Sequence, residues 1–137
     1  MGTRSLTVFQ ETDGTEIAVM YRHFDGYPTG HGDELARFLA GFKIVAGLGT
    51  GDKAPVANGI ACLAAQVVAH FKTEPGGFYL HAAGTRDIGE EYVYTVSGKP
   101  GEGVTMRCEN GDGKKLYEGP AVDFSGVAAS AMDEVQP

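Results

Sequence analysis

The chain has no tryptophan, only two cysteines, and eleven basic residues against eighteen acidic ones. Cys62 and Cys108 fall in an apolar helix-like run and a strand-like run, without CxxC spacing, which excludes a disulfide framework and reads both as buried thiols. The formal charge of −7 and pI near 4.9 leave no basic stripe to track phosphates, so nucleic acid is excluded as a partner. A small anionic ligand is not excluded, because two or three arginines converging on one pocket suffice for it. No window approaches the roughly 18 apolar residues of a membrane span. Residues 1–10 lack the basic and apolar regions of a signal peptide, and the expectation is a cytoplasmic protein without membrane contact. Also missing are a nucleophile elbow, a Ser-His-Asp order and a cysteine with a histidine near it in sequence.

What the chain does have is glycine, 21 residues of 137, about twice the average share. That points to short strands and tight connections in a single domain, the size at which one core is buried without staples. Residues 6–9 and 15–23 flank Asp13-Gly14, a hairpin signal because both residues tolerate positive φ. Alternation puts Ile17, Val19, Tyr21 and His23 on one face of the second strand and Ala18, Met20 and Arg22 on the other. With apolar residues on both, the strand reads as interior to its sheet.

Leu35, Phe38, Leu39 and Phe42 follow the helical i, i+3, i+4, i+7 spacing, so a helix is expected over 33–42 with Asp33 as its N-cap. A second helix is expected over 55–71, alanine-rich, nearly uncharged and therefore buried and central. Residues 47–53 read as a flexible glycine linker, since the order of a Walker phosphate loop is absent. Short strands are expected at 78–82, 91–96, 104–108 and 115–117, and Val122 and Phe124 suit one more. The predicted architecture is α+β: a hairpin, two helices, then C-terminal strands, giving an antiparallel sheet of five to six strands packed on two helices. Residues 1–125 form the domain and 126–137 a weakly ordered tail.

The unusual chemistry is concentrated in residues 21–33, which carry two histidines, two aspartates, one arginine and three aromatic rings among glycines. His23, Asp25, His31 and Asp33 offer imidazole and carboxylate donors, but their spacing fits no common metal signature, and a capped turn with satisfied histidines is favoured over a metal site. His23 with Asp25 also has the form of an oriented general base, a pairing equally common in structural hydrogen bonding. The better reading is an anion pocket. Arg22 and His23 supply donors, free N–H groups at residues 30–32 supply an anion nest at a helix start, and Phe24 and Tyr27 supply stacking faces. Arg107, on the polar face of a strand, is a candidate second clamp, with Tyr79, His81 and Arg86 in reserve.

The loop from Tyr21 through Arg22, His23, Phe24, Asp25, Gly26, Tyr27, Pro28, Thr29, Gly30 and His31 to Gly32 resembles one in the Thoeris anti-defence 1 family of phage sponge proteins. Members of that family sequester cyclic ADP-ribose isomers made by bacterial immune enzymes, as homo-oligomers and without cleaving them. The resemblance implies that Arg22 and Arg107 clamp phosphates, that an aromatic ring stacks on adenine, and that the protein works in the host cytoplasm. The expected site is Arg22, His23, Phe24, Asp25, Tyr27, His31 and Arg107, with no metal or cofactor and a small anionic nucleotide-like ligand. The expected function is non-catalytic binding of a cyclic nucleotide or ADP-ribose-type signal. The alternatives are a small metal-assisted or acid/base hydrolase of a phosphorylated nucleotide, and an interaction domain without ligand.

Overall fold

The computed structural model describes residues 2–47 and 55–135. The Asp13-Gly14 turn closes as expected, with Gly14 at φ +94°, and joins β1 (Ser5–Gln10) to β2 (Glu16–Arg22) with Val8 opposite Val19. Six strands make the main sheet: these two with β5 (Phe78–His81), β6 (Tyr92–Ser97), β7 (Thr105–Asn110) and β8 (Lys115–Pro120). Their order is β5-β2-β1-β6-β7-β8, so β2 is interior as its two apolar faces required. Neighbours run antiparallel except β1 and β6, which pair in parallel with Leu6 opposite Val93. The fold is α+β.

Alternation along the strands sorts the sheet into two faces. Phe9, Met20, Tyr94, Val96, Met106 and Cys108 look toward the helices and belong to the main core. Leu6, Val8 and Val19, with Tyr21 and Val93 against them, make a smaller cluster on the outer face. Residues 82–91 carry the chain from edge strand β5 past β2 and β1 to β6, which pairs in parallel with β1. This crossover is pinned to Glu16 at one end, whose carboxylate accepts from Gly84 N at 2.6 Å, and to Arg4 O by Glu91 N at 2.9 Å at the other.

Helix α1 (Asp33–Leu39) buries Leu35, Ala36 and Leu39 and is shorter than its periodicity suggested, ending with Ala40 as C-cap. It is entered through one π-helical turn, Pro28–Gly32. Helix α2 (Gly59–Phe71) buries Ile60, Leu63, Val67 and Phe71. It is not buried all round: Ala61, Ala65 and Ala69 are exposed, and the lack of charge reflects small residues rather than a central position. Its expected first turn is instead β4 (Val56–Asn58), paired in parallel with β3 (Lys43–Val45), because Gly59 at φ +82° breaks the helix there. Of the expected linker 47–53, residues 48–53 lie outside the described residues.

The largest departure is at the C-terminal end. Residues 121–123 form a 3₁₀ turn rather than a strand, Ala121–Asp123. The expected tail is helix α3 (Gly126–Glu134), capped by Ser125, whose hydroxyl accepts from Ala128 N at 3.2 Å. The restraints that order it are distant in sequence. Asp33 Oδ1 accepts from Gly126 N at 2.8 Å, Tyr92 and Asn110 donate to Asp133 at 2.8 and 2.9 Å, and Lys114 Nζ donates to Met132 O at 2.7 Å. Asp33 is therefore not the N-cap of α1; its carboxylate holds the first N–H of α3, beside the Ser125 cap. Replacing it, Asp33→Ala, is expected to cost about 1–2 kcal/mol, typical of a lost N-terminal cap, with hydrogen-exchange protection falling first in α3; unchanged protection would leave α3 independent of the loop.

Candidate functional site

The 21–33 stretch is built less as a ligand loop than as a packed junction. Asp25 takes φ +59° and its carbonyl accepts from His31 N at 2.7 Å, while Gly30 N and Gly32 N both donate to Tyr27 O. The N–H groups expected to form an anion nest are thus spent inside the turn. Its glycines answer to crowding: a Cβ on Gly30 would lie 2.5 Å from Asp25 O, and one on Gly26 would lie 2.7 Å from Ser5 Cβ. Tyr94 donates from beneath to Gly26 O at 2.7 Å, and burial pushes its phenol pKa up. His31 is fully buried, its ring between Phe71 and Tyr94.

Two charged partners meet that histidine's environment. Arg22 Nη1 lies 3.1 Å from His31 Nδ1 and donates to Glu34 Oε2 at 2.7 Å. A guanidinium has no acceptor and stays protonated, so His31 Nδ1 must accept and Nε2 carries the proton. Nε2–H then donates to Thr7 Oγ1 at 2.7 Å. The result is a chain Thr7–His31–Arg22–Glu34 running from the sheet to the surface. Burial first and the Arg22 charge second push the His31 pKa down to about 3, so the ring is neutral and works as a strut.

The chain ends in an open cleft of about 590 Å³ lined by Arg22, Glu34, Arg37, Phe38, Phe71 and Phe78, with His70 beside them. Arg22 is 6% exposed, with Cζ 5.0 Å from the Phe78 ring centroid and 5.8 Å from that of Phe24. Its Nη1 edge is saturated, whereas Nε is buried and has no partner. Phe38 and His70 stack at 4.2 Å and 18° at the wall. Arg37, exposed, forms no ion pair among the described residues. Two arginines against Glu34 give the lining a surplus of positive charge in a chain of net charge −7.

No family model, curated protein or solved structure matches this chain. Its site is therefore read from its own residues. Of those expected, Arg22 lines the cleft, His31 holds it from behind, and Phe24 touches its arginine. His23 bonds instead to Tyr21 across the outer face, Nδ1 to Oη at 3.0 Å, and Asp25 accepts from Tyr27 Oη at 3.3 Å. His23, Asp25, His31 and Asp33 point to different places, and no group of three or more metal-ligating side chains gathers among the described residues. Arg107 lies on the outer face, opposite Thr95 and Glu118, with the whole sheet between it and Arg22. The second arginine of the cleft is Arg37.

Glu34, Arg37, Phe38, His70, Phe71 and Phe78 were not expected in a site. Phe38 lies in the apolar stripe of α1 and Phe71 at the end of that of α2, and only the packing of α1 beside the end of α2 brings them together. A visible signal was His70, a polar ring in a helix without a single charge.

The strut makes stability depend on pH with a definite sign. The unfolded chain takes up a proton near pH 6.5 that folded His31 refuses until about pH 3, so stability falls as pH drops through 6.5 toward 3. By about pH 5 the loss from this group is roughly 2 kcal/mol. Urea unfolding of the wild type and His31→Gln at neutral pH and near pH 5 should show the wild type losing more by about that amount. Parallel pH dependence would mean that His31 titrates freely.

Proposed function

We propose that this protein binds and holds a small anionic, ring-bearing molecule of the cyclic nucleotide or ADP-ribose class in the Arg22 cleft. The observation that carries the reading is Arg22 itself: a buried guanidinium, immobilised on one edge by Glu34 and His31 and unpartnered at Nε, at the base of a cleft walled by phenylalanines. Fixing the side chain in advance removes the ordering cost that a free arginine pays on binding. Arg37 at the open side supplies a second, adaptable cation for phosphate, and the Phe38–His70 wall offers a face for a base. A cleft of about 590 Å³ lies within the range of small-molecule sites. Tight binding with slow release needs only these contacts, which is the behaviour of a sequestering protein.

Self-association is part of the reading. It is supported by the open apolar ground between the alanine face of α2 and edge strand β5, where Leu80 is 65% exposed. Light scattering should then give a mass above one chain.

Calorimetric titration with cyclic ADP-ribose, ADP-ribose and cyclic mononucleotides is expected to find a binder, which mass spectrometry recovers unaltered after heat denaturation. Arg37→Ala should weaken it at least tenfold, about the worth of one charge-assisted hydrogen bond, and Arg22→Gln should abolish it. Arg107→Ala should leave the affinity unchanged. Full affinity in both Arg22→Gln and Arg37→Ala would overturn the site, and recovery of a cleaved product would make the protein a hydrolase.

A further inference from the structure

We propose that the outer face of the sheet carries a second, separate binding site, for a neutral polyhydroxyl molecule of monosaccharide size. Alternation along β6 and β7 turns Thr95, Ser97, Thr105 and Arg107 away from the helices, and Arg86 reaches the same place from the crossover. Together with Glu118 of β8 they border a polar cavity of about 350 Å³, at the small end of the range for ligand sites.

Among the described residues, four buried side-chain polar atoms have no hydrogen-bond partner, and two of them, Ser97 Oγ and Arg107 Nε, belong to residues lining this one cavity. Buried polar atoms are nearly always paired, so two orphans at one cavity mark a place where a ligand atom is expected. Arg107 Nε is a donor only, and the Ser97 hydroxyl can donate or accept. A ligand atom that satisfies Arg107 Nε must therefore accept, and an oxygen does so.

Charge decides which oxygen. Arg86 is already engaged by Glu16 at 2.6 Å, Arg107 by Glu109 at 3.2 Å, and Glu118 by Lys115 at 3.1 Å. Glu109 and Glu118 both line the cavity, so an oxyanion would meet two carboxylates and two arginines whose charges are already matched. A hydroxyl meets no such opposition. It accepts from Arg107 Nε–H while donating to a glutamate, and a ring of adjacent hydroxyls repeats the pattern. The lining includes no aromatic side chain, which leaves nothing for a base to stack on and separates this cavity from the Arg22 cleft on the other face.

The test is a ¹⁵N–¹H NMR titration of the full chain with D-glucose, D-ribose and glycerol, and separately with inorganic phosphate. Saturable shifts are expected at the amides of Thr95, Ser97 and Arg107 with a sugar, and none at Phe38 or Phe71. Arg107→Lys keeps the charge but removes Nε–H, and should weaken the sugar at least tenfold; Ser97→Ala should do the same, and Arg37→Ala should not. Saturation by phosphate alone, no saturable shift with any polyol, or undiminished sugar binding in Arg107→Lys and Ser97→Ala would each overturn the proposal.

Discussion

A guanidinium cannot shed its proton, and Arg22 is placed where water scarcely reaches it. Much of the local architecture answers that one demand. Glu34 comes from α1 to neutralise it, three phenylalanine rings lie within 6.0 Å of its charge, and His31 gives up its own proton affinity to serve as an acceptor. An isolated charge buried without partners would cost far more than the fold's net stability, so these groups must be in place together or not at all. Thr7 extends the requirement into β1, and Tyr94 holds the turn that delivers His31.

The concentration of polar residues at 21–33 has a structural cause. Histidine, arginine and glycines in one connection look like a binding loop because binding loops and buried polar networks draw on the same residue types. What separates them is burial, and burial depends on what packs from elsewhere. Here Phe71 from α2 and Tyr94 from β6 seal His31 away, while the same loop leaves Phe24 and Tyr27 about two-fifths exposed.

The features legible in the sequence were the local ones. Asp13-Gly14 announced its hairpin, alternation separated Val19 from Met20, and the strands of the second half appeared within three residues of their bounds. Features held by distant contacts were not legible. Residues from Gly126 onward have weak periodicity and few large side chains, and they become a helix because Asp33, Tyr92, Asn110 and Lys114 each reach across to hold them. The site divided along the same line: Arg22 stood out by its setting, whereas Arg37 and Arg107 could be told apart only by knowing which side of the sheet each one occupies.

The contact between Asp33 and Gly126 has a further consequence, in time rather than in space. A chain emerging from the ribosome exposes the turn and α1 long before α3 has been made, and β1 must wait as long for its parallel partner β6. Until then the β1–β2 hairpin stands without the strand on its other flank, the circumstance that slows topologies rich in remote pairings. The Arg22 cleft draws Arg22, Glu34, Arg37 and Phe38 from the first third of the chain and His70, Phe71 and Phe78 from beyond it, so no early segment can shape it alone.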